Sequence, residues 1–371
     1  MMSLGGGMMF EDVDAMEAYK EKAVEDFYDP VKDERYSVIG EDGMLFESVG
    51  TIMKAMTVIE KVPGDIFTLR SFEGAGEPYL TRNQQCVLSA VLINYFDIER
   101  GRVLFKINPY VNSFFECYMI VRPLNPYKVG ALDLVECIRG LNRFVAAVRD
   151  HTSTKAFSRE IAAHARAANK NYSGLLGYID ALFGRYSRLL VLRIDFAYGK
   201  GKFEIEELSD SRDRLDVLNL VSKQIISHRA ELISYLKNKC PELGVVGYVW
   251  KLEYGREKGH HYHMMFFLDG SKVRQDIVIA KWIGEYWNNV ITLGKGVYYN
   301  CNGDKSKYKF CGVGMINHDE SDKVSNLKKA AVYLAKVDRY ISACMPENKR
   351  TFGKGGAPKG NCRSVGRPRR N

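Results

Sequence analysis

The spacing of apolar and polar positions divides the chain into strand-like and helix-like stretches. Residues 188–196 are dominated by Leu, Val, Ile and Phe and predict a buried central strand. Residues 247–254 and 260–268 predict two further strands. Between them lies a short polar loop with Gly255 and Gly259 at its ends, a hairpin signal. Helical spacing predicts helices over 131–149, 158–171, 173–185, 210–239, 275–288 and 323–344. Residues 296–314 read as a strand pair with a basic tip at 304–309. Further upstream, 85–96 reads as a helix or a buried strand, 102–107 and 117–121 as strands, and 14–27 as a helix.

The order strand, helix, hairpin, helix, strands, helix defines an α+β fold with a mainly antiparallel sheet flanked by helices, plus an N-terminal accessory region. The expected divisions are an acidic arm (1–50), an accessory α+β region (51–130), a helical lead-in (131–187), a core (188–348) and a disordered basic tail (349–371). No internal repeat is visible.

Charge sharpens this division. The net charge of +9 conceals an acidic start and a basic remainder. After Glu347 the chain holds no acid, and its basic residues sit among Gly and Pro. Such a body and tail suit a polyanion such as nucleic acid. Arg367, Arg369 and Arg370 are candidate DNA contacts, and the run Gly366-Arg-Pro-Arg369 is like the core of an AT-hook. The eight cysteines form no C-x-x-C pair, which suits reduced thiols and a cytoplasmic setting. Cys301 and Cys311 flank the basic loop but lack a second pair to complete a zinc site. There is no apolar run long enough for a membrane span and no basic-then-apolar start, so no membrane partner is expected. His151, His164, His228 and His318 are isolated and read as surface or capping residues.

Chemistry concentrates at 253–268. His261 and His263 alternate on a strand, so both point to one face. The simplest hairpin register pairs Glu253 with His261 and Lys251 with His263, and cross-strand partners share a face. Glu253 then supplies a carboxylate beside two imidazoles. Trp250, Leu252, Tyr254, Tyr262 and Met264 go to the other face. Two histidines and a carboxylate suit Mg²⁺ or Mn²⁺, a Lewis acid able to polarise a phosphate ester. His260, at the strand start, reads as a neighbour that contacts DNA or solvent, with a fallback metal ligand as the alternative.

His-hydrophobe-His followed by an apolar run resembles the signature of the HUH endonucleases, which nick single-stranded DNA through a tyrosine. In those enzymes the strand equivalent to 188–196 lies beside the metal site, so the resemblance implies that Asp195 either lies near the metal or ends its strand. That resemblance implies a nucleophile in a Tyr-x-x-Lys element on a helix, and Tyr333-Leu-Ala-Lys336 matches it. Asn326, Lys329, Tyr333, Lys336 and Tyr340 fall in an arc of roughly 80° on a helix. They lie beside an apolar stripe of Val324, Leu327, Ala331, Leu334, Ile341 and Met345. Tyr333 is thus the candidate nucleophile and Lys336 its cationic helper. Lys329 is a candidate DNA contact, and Tyr340 a possible second tyrosine.

From about residue 133 to 352 the chain resembles the replication-initiation proteins of filamentous, inovirus-type phages, including the YagK/YfjJ prophage proteins. The carrying runs are Leu190-Val-Leu-Arg-Ile-Asp195, Tyr254-Gly-Arg-Glu-Lys-Gly-His-His-Tyr-His263, Tyr333-Leu-Ala-Lys336 and Arg350-Thr-Phe-Gly353. The resemblance implies site-specific nicking of origin DNA, single-stranded or locally melted. It implies a 5′-phosphotyrosine, a free 3′-OH for rolling-circle replication, and later rejoining. The chain has no P-loop, so a host helicase and a host DNA polymerase are the implied partners. Relaxase-like and transposase-like HUH nucleases share this chemistry, and a non-catalytic DNA-binding prophage regulator is the rival class.

Overall fold

A computed structural model describes residues 24–29, 34–39, 41–68, 80–125, 133–199, 211–255, 259–308, 310–335, 341–343 and 350–358. The chain divides into two compact units. The first comprises residues 1–169 and 337–344, the second 170–336 and 345–371.

In the first unit, β1 (Val24–Asp29) and β2 (Glu34–Ile39) pair as an antiparallel hairpin. Residues 24–27, expected to be helical, are therefore strand. Helices follow: α1 (Glu41–Lys61), α2 (Arg82–Val91), α3 (Tyr95–Leu104), α4 (Pro109–Val121) and α5 (Leu134–Thr152). The strand expected over 117–121 is the last part of α4. Asn108 caps that helix through Oδ1 to the Tyr110 amide, with Pro109 at the first position, and this start signal prevails over strand-like composition. Arg149 on α5 donates to the Ile59, Val62 and Gly64 carbonyls, closing the end of α1. Strand β3 (Phe105–Ile107) pairs with β9 (Ile341–Ala343).

Helix α6 (Lys155–Arg185) is continuous, where two helices were expected, and belongs to both units. The second unit is built on an antiparallel sheet. Its strands are β4 (Arg188–Tyr198), β5 (Val245–Gly255), β6 (Gly259–Asp269), β7 (Gly296–Asn300), β8 (Gly314–Asn317) and β10 (Phe352–Lys354). The order is β10-β5-β6-β4-β7, with β8 also on β4. Strands β7 and β8 do not pair with each other, as the sequence suggested. Each pairs with a different half of β4. Phe352 is buried and β10 pairs with β5, so this part of the expected tail is sheet.

The sheet is covered on both faces, which is why β4 and β6 read as nearly unbroken apolar runs. On one face Leu190, Leu192, Ile194, Phe196, Trp250, Leu252, Tyr262 and Met264 pack with residues of α7 (Ser211–Asn238) and α8 (Asp276–Tyr286). On the other, Leu189, Val191, Val249, Met265 and Phe267 pack with α6 and with α9 (Ser321–Ala335). This is the α+β architecture expected, with an open antiparallel sheet.

Helix α9 is described as far as Ala335, and residues 341–343 of the helix expected to run to 344 are strand. Ile341 lies in β9, because pairing with β3 outweighs an apolar spacing that local sequence alone reads as helix.

Candidate metal centre

The β5–β6 hairpin closes at Gly255 opposite Gly259, and Gly259 adopts φ 62°, a left-handed conformation that glycine accepts without strain. The register is the expected one, with Glu253 opposite His261 and Lys251 opposite His263. One ligand atom from each of Glu253, His261 and His263 falls within 4.8 Å of the others. Among the described residues this is the one His/Cys/Asp/Glu cluster so arranged.

The two rings are held in matching orientations. His261 Nδ1 lies 3.0 Å from the Gly259 carbonyl, which only accepts, so Nδ1 carries the proton and Nε2 keeps its lone pair. His263 Nδ1 lies 2.8 Å from Asp195 Oδ1. Opposite charge on the two groups strengthens this contact. The Nε2 atoms of His261 and His263 then stand 3.9 and 3.4 Å from Glu253 Oε2. Two Nε2 atoms and a carboxylate oxygen converge, each imidazole being oriented from behind by an oxygen. The donor set suits a divalent cation and leaves positions for other ligands.

Asp195 belongs to this centre as the support of His263. It sits on β4 directly opposite His263 on β6. Burial would raise its carboxyl, but His263 and Arg193 outweigh burial and hold it down at about 2. Burial would likewise depress His263, but the Asp195 and Glu253 carboxylates lift it to about 9. A divalent cation bound by His263 would take the place of that proton. Arg193, on the same face of β4, approaches Asp195 with Nε 3.9 Å from Oδ1 and lies 5.7 Å from the Tyr308 ring centre. An acid and a base two residues apart in an apolar strand were legible in the sequence; their partner across the sheet was not.

His260 does not face solvent. It is 5% exposed, its ring meets Tyr254 edge-on at 4.9 Å, and its Nδ1 is buried without a hydrogen-bond partner. Burial depresses its pKa to about 4. The isolated histidines serve locally: His151 meets Ser113 Oγ at 2.7 Å, His228 meets Tyr198 Oη at 2.8 Å, and His318 approaches the Ser187 carbonyl. Cys301 is buried and Cys311 half-buried, and neither joins a metal-ligand cluster among the described residues.

The face bearing the triad has two halves. Toward Leu189, Val191 and Phe267 it is sealed by α6 and α9. Toward Asp195, Ala197, His261 and Glu253 the side chains are only half-buried. Helix α9, whose backbone carries Tyr333, is thus packed on the triad's face of the sheet through Leu327, Ala330 and Leu334. Lys329 is half-buried with its Nζ 4.2 Å from the Phe310 ring centre. The side chain of Tyr333 and all of Lys336, Tyr340, Arg367, Arg369 and Arg370 lie outside the described residues.

Fold and centre together define an α+β domain with a candidate two-histidine, one-carboxylate metal site on an antiparallel sheet. Residues 151–355 match the YagK/YfjJ C-terminal domain, more than half of the chain, and the chain belongs to that family. No curated protein and no solved structure matches it. Among the described residues, no helix is long and apolar enough to cross a membrane.

Proposed function

We propose that this protein is a metal-dependent, tyrosine-using DNA nickase and strand transferase that initiates rolling-circle replication of a phage or prophage. The observation that carries this reading is the convergence of two imidazole Nε2 atoms and Glu253 on the half-open part of a sheet face. The remainder of that face is covered by α6 and by α9, the helix bearing Tyr333. The sequence resemblance to inovirus-type initiators supports the same reading.

Glu253, His261 and His263 would hold Mg²⁺ or Mn²⁺. When bound, the cation supplies Lewis-acid polarisation of the scissile phosphate. Asp195 and the Gly259 carbonyl keep the imidazoles aimed. The Tyr333 oxygen attacks phosphorus, a P–O bond forms, and the bond to the 3′ oxygen breaks. The phenolic proton is given up and the departing 3′ oxygen takes one, leaving a 5′-phosphotyrosine and a free 3′-OH. One ester replaces another, so the reverse reaction rejoins strands without an energy source. Lys336 favours the phenolate by its charge. Origin DNA is the substrate, and a host helicase and polymerase extend the freed end.

The test is to incubate the protein with single-stranded DNA from the origin region and Mn²⁺, and to look for DNA joined to protein at its 5′ end. The adduct is expected with the native chain and absent after His261→Ala. No adduct under any divalent metal, or an undiminished one in His261→Ala, defeats the proposal.

A further inference from the structure

Strand β7 is an edge strand beside the candidate centre, and its composition is unusual for that position. Its sequence, Gly296-Val-Tyr-Tyr-Asn300, contains no charge. Among the described residues it pairs only with β4. Exposed edges commonly carry lysine, proline or a bulge, because an open apolar edge invites pairing with other chains. Here Val297 and Tyr299 are 47% and 42% exposed.

Both side chains lie on the triad's face. Tyr298 packs into the opposite core, against Gly284 of α8, so its alternating neighbours point the other way. Tyr299 stands opposite Asp195 and Val297 opposite Ala197. Asp195 in turn stands opposite His263. Two strand spacings, about 10 Å, therefore separate Tyr299 from His263 in one row across the sheet. Residues 295–310 hold four lysines against one acid, with four aromatics among them. Lys305 and Lys307 are paired with Asp276 and Asp304. Arg193, on the triad's own face, lies against Asp195.

We propose that Tyr299, flanked by Val297, is the stacking platform for a base of the single strand whose adjacent phosphate lies at the triad. A phenol ring open to solvent, in a segment of net positive charge and in one row with the triad, matches the combination that holds unpaired nucleotides: a π-face for the base and positive charge for the backbone. An unpaired strand is the occupant favoured over a second copy of the chain, since the surrounding segment is basic and would repel its own kind. This inference rests on the nickase reading and names where that site grips its substrate.

The experiment measures anisotropy of a labelled single-stranded oligonucleotide, about 12 nucleotides long, with the full chain in EDTA. Salt of about 0.3 M screens non-specific phosphate contacts. Tyr299→Ala is expected to weaken single-strand binding roughly 5- to 100-fold. Duplex binding should stay within about twofold, and Tyr299→Phe should bind the single strand as the native chain does. Native-like single-strand affinity in Tyr299→Ala overturns the platform, as does equal loss for duplex and single strand. A native dimer that Tyr299→Ala converts to monomer assigns the edge to a second copy instead. A covalent adduct that disappears in Tyr299→Phe assigns the residue to the chemistry and also overturns the platform. If the native chain forms the Mn²⁺-dependent adduct while Tyr299→Ala binds normally, only this inference fails. If the native chain does not bind single strands, both fail.

Discussion

Asp195 and His263 face each other across the centre of the sheet, Oδ1 to Nδ1 at 2.8 Å, on strands joined by no local turn. The carboxylate orients the ring and raises its basicity, so the imidazole's second nitrogen is ready for a cation. Asp195→Asn keeps the shape and removes the charge. Mn²⁺ affinity by titration calorimetry should fall about 10- to 100-fold, the usual effect of losing such a support. An affinity equal to the native value would leave Asp195 as a partner of Arg193 alone.

Tyr333→Phe deletes one oxygen and keeps the ring. Helical content should be unchanged by circular dichroism, and the covalent DNA adduct should be lost. Lys336→Ala should slow adduct formation without abolishing it, since a cation assists and does not attack. Tyr340→Phe should leave first-strand nicking intact. Peptide mapping that places the DNA on Tyr340 would move the nucleophile there.

His260 carries a pH dependence of known sign. Its pKa in the fold is about 4, against 6.5 for an ordinary histidine. Between these values the unfolded chain holds the extra proton, so stability falls as pH drops from 6.5 towards 4. The full effect is about 3 kcal/mol. His260→Phe keeps a ring against Tyr254 and removes a buried nitrogen that has no partner. Urea unfolding in EDTA should show a flatter acid limb for the variant and no loss of stability at pH 5. A parallel pH profile would exclude His260 as the cause.

Truncation separates the two parts of the C-terminal segment. Ending the chain at residue 358 retains β10 and should preserve the thermal midpoint. It should lower duplex affinity and flatten its salt dependence, because five arginines and lysines are removed. Ending at 349 also removes Phe352 from the core and the Thr351 carbonyl from the Leu252 amide, and should lower the midpoint by several degrees. Equal midpoints for the two truncations would show that β10 adds nothing to stability.

The triad was legible because two glycines fix a hairpin, and a slip of one residue would have turned both histidines into the apolar core. The long helices were legible from periodicity. What was hidden depends on residues distant in sequence. Residues 341–343 are strand and not helix because they pair with β3. The role of Asp195 is set by a histidine on β6, and the burial of His260 by the packing around the hairpin's second face. Cys117 to Val121 misled for a different reason: their strand-like side chains follow a strong helix start.

Asn302 closes a gap in β4 that no strand covers among the described residues. Strand β7 stops at Ile194 and β8 reaches only Val191. Between them, Asn302 Oδ1 accepts from the Arg193 amide and its Nδ2 donates to the Val191 carbonyl and to Asp276. A side-chain amide thereby impersonates a peptide unit. The segment between β7 and β8 leaves the sheet and returns to it without unsealing the edge. The segment is a natural graft point: beyond Asn302 it can diverge in length and chemistry while the strand that supports the centre keeps its ladder.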